Sequence, residues 1–260
     1  MRIVTWNVNG LRAALAKGLP SVLDRLAPDV LLLQEIRSTP DQLTDGWDAP
    51  EGWHVLWHPA EKLGYAGTAI WSRHPLVEVG RGVGAPDPEG RVVLAEAGGV
   101  VVGSVYLPSG SSSPERQEAK EAWMARFLPW SRELATDGRP ILLAGDLNIA
   151  HTERDIWNAR SNAKTSGFLP HERAWFSDLL DVGWTDAVRA DAGEVQGPYS
   201  WWSNRGQARA KDRGWRIDYL LGNAALAPRL GATTTVPAAE LHAPDGRAIS
   251  DHSPVVVDLV

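Results

Sequence analysis

The chain contains no cysteine, which removes disulfide scaffolds, thiolate metal sites and cysteine nucleophiles from consideration. No apolar run approaches the roughly 18 residues that a membrane span needs. No basic stretch leads into an apolar run at the N-terminus, as a secretory signal would; Arg2-Ile3-Val4-Thr5-Trp6 reads as a strand instead. A soluble, cytoplasmic, membrane-free and monomeric protein is therefore expected. Positive charge is in deficit, with 26 Lys and Arg against 32 Asp and Glu and a formal net charge of −6. That balance weighs against nucleic acid as a partner, because phosphates favour basic surfaces. Phenylalanine is scarce at 3 residues while tryptophan reaches 13, and most of these large aromatics belong to a core.

Neither an internal repeat nor a low-complexity linker divides the chain. Its 260 residues can bury a core unaided, and a single catalytic domain over 1–260 is expected. β-branched runs flanked by Gly, Pro or Asp predict strands at Ile3–Val8, Val30–Gln34, Thr68–Ser72, Val92–Glu96, Val100–Leu107, Ile141–Gly145, Arg216–Leu221 and Val255–Leu259. Val100 to Val105 is apolar at consecutive positions, which suggests burial on both faces. Helices are predicted at Pro20–Leu26, Glu115–Leu134 and His171–Leu180. The second places Ala119, Trp123, Phe127, Trp130 and Leu134 on one face, and Pro129 should kink or shorten it. Ser109 to Ser113 reads as a loop before this helix. Strands mixed with helices imply a sheet core covered by helices, in one sheet or two.

Polar residues stand where the apolar strand runs stop. Asn7 ends the first, Gln34-Glu35 the second, and Asp146 and Asn148 follow Ile141 to Gly145. Asp218 interrupts Ile217-Asp218-Tyr219-Leu220-Leu221, and Asp251-His252 precedes Val255-Val256-Val257. One such Asp or Asn ordinarily closes a turn or caps a helix, Asp218 could pair with Arg216 or Arg213, and a lone histidine is ordinarily a satisfied core residue. Five such sites together are not explained that way, since strand ends are where rigid elements hand side chains to a shared cleft. Hard carboxylate and amide oxygens favour magnesium, with manganese possible, over zinc. The segment from Ser203 to Arg216 carries Arg205, Arg209, Lys211, Arg213 and Arg216 against Asp212 alone. For a phosphate polymer this local excess outweighs the global sum.

These residues resemble the exonuclease III / abasic-site endonuclease branch of the endonuclease–exonuclease–phosphatase superfamily. Thr5-Trp6-Asn7-Val8-Asn9-Gly10, Leu33-Gln34-Glu35, Gly145-Asp146-Leu147-Asn148 and Ser250-Asp251-His252-Ser253-Pro254 match the superfamily. Asp155-Ile156-Trp157-Asn158, Ser166-Gly167-Phe168-Leu169-Pro170, Tyr199-Ser200-Trp201-Trp202-Ser203 and Gly214-Trp215-Arg216-Ile217-Asp218-Tyr219 match the branch. The resemblance implies an α/β fold, a four-layered sandwich of two stacked mixed β-sheets flanked by helices, with the active site at one end. It further implies Glu35 as the principal metal carboxylate with Asn7 and Asp251 close by. Asp146 would orient or deprotonate the attacking water, held by Asn148, while His252 paired with Asp218, and Tyr106, would face the scissile phosphate. Trp201, Trp202 and Trp215 resemble the abasic-sugar pocket and intercalating loop; Arg116, Lys120, Arg205, Arg209 and Lys211 resemble contacts to duplex DNA phosphates.

The implied activity is magnesium-dependent incision of double-stranded DNA 5′ to an abasic site, with cleaning of blocked 3′ ends and 3′→5′ exonuclease action. Ser109 departs from the longer amide of many relatives and reaches less far toward DNA, and Ile36 replaces a common hydroxyl residue. Two alternatives share parts of the pattern: a phosphoinositide or sphingomyelin phosphatase of the superfamily, and an inactive DNA-binding scaffold.

Overall fold

Strand alternation sets the architecture, because successive side chains point to opposite faces of a sheet. The computed structural model describes residues 1–260. The strands are β1 (Arg2–Asn7), β2 (Val30–Gln34), β3 (His54–His58), β4 (Thr68–Ser72), β5 (Val77–Arg81), β6 (Val92–Ala97), β7 (Val100–Tyr106), β8 (Ile141–Asp146), β9 (Thr185–Asp186), β10 (Asp218–Gly222), β11 (Leu230–Thr235) and β12 (Val255–Leu259). The helices are α1 (Leu11–Ala16), α2 (Leu19–Leu26), α3 (Pro114–Ala135), α4 (Ala159–Asn162), α5 (Pro170–Asp181) and α6 (Ala187–Ala192). Two mixed six-stranded sheets form, in the orders β11-β12-β1-β2-β4-β3 and β5-β6-β7-β8-β10-β9.

Ile3, Leu32 and Ile70 of the first sheet meet Val93, Val102, Leu142 and Leu220 of the second in one buried cluster. The alternate residues face outward. Val4, Trp6, Leu31 and Leu33 pack on Leu11, Leu19, Val22 and Leu23 of α1 and α2. Val101, Ile141, Leu143 and Tyr219 pack on Trp123, Phe127, Phe176 and Leu179 of α3 and α5. The result is four layers, helix–sheet–sheet–helix, as the resemblance implied. Every residue of β7 is buried, in agreement with the uninterrupted apolar run.

Between the sheets the side chains change character along the strands. Ile3-Thr5-Asn7, Val30-Leu32-Gln34, Val102-Ser104-Tyr106 and Leu142-Ala144-Asp146 each run from apolar to polar in steps of two. Gln34 crosses the gap, donating from Nε2 to Ser104 Oγ at 2.9 Å, and Ser104 Oγ donates to Leu33 O at 2.8 Å. One end of the sandwich is therefore polar. Gly145 is needed there: its φ is +145°, and a Cβ would lie 2.0 Å from the Val105 carbonyl oxygen of the neighbouring strand and 3.1 Å from the Gln34 side chain of the facing sheet.

Three sequence expectations are corrected. β10 begins at Asp218, because Arg216 turns its guanidinium to Asp155 and Asp186. α3 runs through Pro129, which is exposed, as is Ala125, whose carbonyl loses its amide partner to the proline. The buried face of α3 is Lys120, Trp123, Met124, Phe127, Ser131 and Ala135, whereas Ala119 is exposed. Strands β3, β5, β9 and β11 lie outside the predicted set; all four are sheet edges, where apolar alternation is not sustained, and β9 has only two residues.

Candidate active site

Register brings the strand-end residues together. Tyr106 and Asp218 both sit opposite Asp146, on β7 and β10 flanking β8, while Asn7 pairs with Gln34 in the facing sheet. Turns then carry Asn9, Glu35, Arg37 and Asn148 into the same cavity, each in the left-handed region, with φ of 48°, 54°, 50° and 49°. Non-glycine residues rarely adopt that conformation, and clusters of them mark functional sites. The cavity encloses about 300 Å³ and is walled by Tyr106, Trp201, Trp215 and Ile217 among its lining residues.

Asp146 is the hub. Its Oδ2 accepts from Asn7 Nδ2 at 2.9 Å and from Asn148 Nδ2 at 3.3 Å, and its Oδ1 from the Asn148 amide at 2.9 Å. Burial, reinforced by the Asp218 charge, pushes Asp146 up to about 7 against the pull of His252 and these bonds. His252 bonds through Nδ1 to Asp218 Oδ2 at 2.9 Å and sets Nε2 3.7 Å from Asp146 Oδ2. Burial works to lower the imidazole, yet the Asp218 and Asp146 charges outweigh it and hold His252 up at about 10. The ring is therefore an imidazolium at neutral pH. Tyr106 is raised well above 10 by burial and by the Glu35 and Asp146 charges, so it keeps its hydroxyl proton.

The expected metal carboxylates face this cavity. Arg37 caps Glu35 through Nε at 3.0 Å and through Nη2, and Asn7 Nδ2 reaches Glu35 Oε2 at 3.0 Å. Asp251 accepts from Asn9 Nδ2 at 2.7 Å and Trp201 Nε1 at 3.1 Å. Burial would raise Asp251, but the His252 charge and these two bonds hold it below its ordinary value. Asn7 Oδ1 accepts the Asn9 amide at 3.0 Å, and its nitrogen faces Glu35 and Asp146. It ties two carboxylates together. Asp146, Asp218 and His252 also form a buried group whose ligand atoms lie within 4.8 Å of one another and could hold a metal ion. In that group the proton between His252 and Asp218 already does a cation's work, while Glu35 and Asp251 line the cavity itself.

The expected DNA-facing residues divide. Trp201 and Trp215 meet edge to face on the cavity wall, ring centres 5.9 Å apart. Arg205 and Lys211 are exposed. Arg116 is half-buried, bonded through Nη2 to Tyr65 Oη, with Nη1 3.7 Å from Glu89. Trp202, in contrast, is buried and donates to Asp212 at 3.1 Å. Arg209 lies over the Trp202 ring and donates to the carbonyls of Ser250 at 2.6 Å and Ala238 at 3.3 Å. These two brace the 203–213 loop from inside rather than presenting a contact surface. Lys120 is fully buried, with Nζ 2.6 Å from Glu172 Oε1 and 2.9 Å from the Asn148 carbonyl. It cannot touch an incoming phosphate, and the expectation for it is withdrawn. Sequence reasoning missed Arg37 and Asn9; the Asn9-Gly10 turn was the one visible sign of the second.

Residues 4–252 match the family model described as the Endonuclease/Exonuclease/phosphatase family. An exodeoxyribonuclease of Bacillus subtilis (strain 168) is 38% identical over 224 residues, covering 85% of this chain and 87% of that protein. The solved structure of a 3′-5′ exonuclease from Neisseria meningitidis superposes with a TM-score of 0.87 at 34% identity, covering 100% of this chain and 99% of that one. An AP endonuclease from Archaeoglobus fulgidus superposes with a TM-score of 0.88 at 25% identity, with the same coverage.

Proposed function

Because the chain belongs to the endonuclease/exonuclease/phosphatase family, we propose that it is a DNA-repair phosphodiesterase that cuts duplex DNA 5′ to an abasic site, leaving a 3′-hydroxyl, and that also clears and shortens 3′ ends. The observation that carries this reading is Asp146 and the His252–Asp218 pair at the floor of a cavity walled by Trp201 and Trp215. The relatives support it, since proteins named for exonuclease and for AP-endonuclease action share this fold over nearly their full length.

Hydrolysis of a phosphodiester needs an aligned water, a base for its proton and donors for the charge that builds on the phosphate. Asp146, held up at about 7, can take the proton of a water at neutral pH, and Asn148 and Asn7 fix its orientation. The His252 imidazolium and the Tyr106 hydroxyl supply donors toward the phosphate oxygens. Magnesium fits the hard carboxylates of Glu35 and Asp251, and when bound would neutralise phosphate charge. A sugar lacking its base enters the cavity against the joined Trp201–Trp215 wall, which selects against a full nucleotide. Arg205 and Lys211 hold flanking phosphates.

The test is an end-labelled duplex with one abasic analogue, incubated with magnesium or with chelator. One cut on the 5′ side that disappears with chelator is the expected result. A folded protein that leaves the duplex whole would reject DNA repair and send the search to phosphoinositide substrates.

A further inference from the structure

Lys120 and Glu172 form an ion pair in which both side chains are 0% exposed. Stability alone does not explain such a pair, because well-packed apolar residues in its place are often as stabilising or more so. Its bonds point instead to the active site. The ammonium donates to the carbonyl of Asn148 at 2.9 Å, the residue whose φ of 49° puts its amide over Asp146. The far oxygen of Glu172 accepts the amides of Gly167 at 2.7 Å and Leu169 at 3.0 Å. Ser166 and Gly167 line the cavity, and the Gly167 carbonyl in turn accepts the Ala150 amide at 2.8 Å.

We propose that Lys120 is a positioning residue: through the Asn148 carbonyl and the Glu172 carboxylate it locks the water-holding turn after β8 to the 166–169 wall of the cavity. This rests on the nuclease reading for its assay but not for its geometry. A left-handed asparagine persists only where its surroundings over-determine it. The Asn148 side chain is tied to Asp146 and to Leu107 O at 2.8 Å, and Lys120 holds its backbone oxygen from the opposite side. Without that donor the turn can relax, carrying the Asn148 amide off Asp146. The Lys120 charge also lies within electrostatic reach of Asp146.

The experiment compares Lys120→Met with the double variant Lys120→Met/Glu172→Gln. The single variant strands a buried carboxylate and should lower Tm. The double variant removes both charges, keeps an oxygen for the Gly167 and Leu169 amides, and should regain Tm. Its kcat on an abasic duplex should stay about 10- to 100-fold below wild type with KM within about threefold, the range seen when a supporting hydrogen bond behind a catalytic group is lost. Amide hydrogen exchange should quicken at Asn148 and Ala150 and stay unchanged in β7. Wild-type kcat in the double variant, or slow exchange at Asn148 and Ala150 despite a fallen kcat, overturns the proposal. If wild-type protein cuts no abasic duplex, the nuclease reading falls, and exchange at Asn148 and Ala150 alone decides the role of Lys120.

Discussion

Replacing Arg216 by Met should destabilise the protein sharply at neutral pH and progressively less in acid. Arg216 is 1% exposed and reaches Asp155 Oδ1 at 2.6 Å and Asp186 Oδ2 at 2.7 Å. Burial would raise Asp155, but Arg216, Arg189 and the Thr152 amide overcome it and hold the carboxyl down at about 2 from an ordinary 3.8. At about 1.4 kcal/mol for each factor of ten in proton affinity, that depression corresponds to roughly 2–3 kcal/mol. A depressed carboxylate contributes fully above its unfolded value, and the contribution fades as pH falls through the folded one. In the variant Asp155 keeps Arg189 at 2.6 Å, while Asp186 keeps only the Arg189 amide at 3.1 Å. Removing one side of a buried ion pair costs about 3–5 kcal/mol. With burial less opposed, Asp155 in the variant takes up a proton more readily, so the gap should narrow on acidification. Urea unfolding followed by tryptophan fluorescence at about pH 7.5 and about pH 4.5 measures both differences. A gap below about 1 kcal/mol at the higher pH, or one that widens at the lower, would refute the account of this network.

Two further outcomes are expected. Asp218→Asn removes the charge that holds His252 up at about 10, so the alkaline limb of the pH–rate profile should slide toward an ordinary imidazole near 6.5. The loss would then be roughly 100-fold at about pH 8.5 and about twofold at about pH 6.5, and an unmoved alkaline limb would remove the charged histidine from the mechanism. Arg205→Ala with Lys211→Ala should flatten the slope of log Kd for duplex DNA against log salt by about 2 if each side chain meets a phosphate; an unchanged slope would assign neither to DNA.

How much of this could be read from the sequence depends on the direction of the signal. Asp218 was visible because a charge inside an apolar strand demands a partner, and the partner is His252 rather than the neighbouring arginines. Asn7, Glu35 and Asp146 were visible because they end apolar runs, and Asp251 because it stands just before one. Edge strands such as β3 and β5 were not, since a half-exposed edge carries no sustained apolar alternation. Lys120 was misplaced because a lysine on a helix ordinarily faces water. Its spacing before Trp123, Met124 and Phe127 put it on the buried stripe all the same. Arg209 and Trp202 failed for a different reason: composition shows a basic, aromatic loop, but only packing shows which members turn inward.

Strands β1 and β12, far apart in sequence, pair side by side in one sheet, and this decides when the site can be assembled. Strand β12 lies between β11 and β1, the Met1 amino group donates to Leu259 O at 2.9 Å, and Ser250 Oγ donates to Asn7 O at 2.7 Å. A chain still emerging from the ribosome already carries Glu35, Asp146 and Asp218 but has yet to receive Asp251 and His252. The site is therefore complete only once β12 has paired with β1, so a chain that stops short of Asp251 bears the acids of the site without its imidazolium.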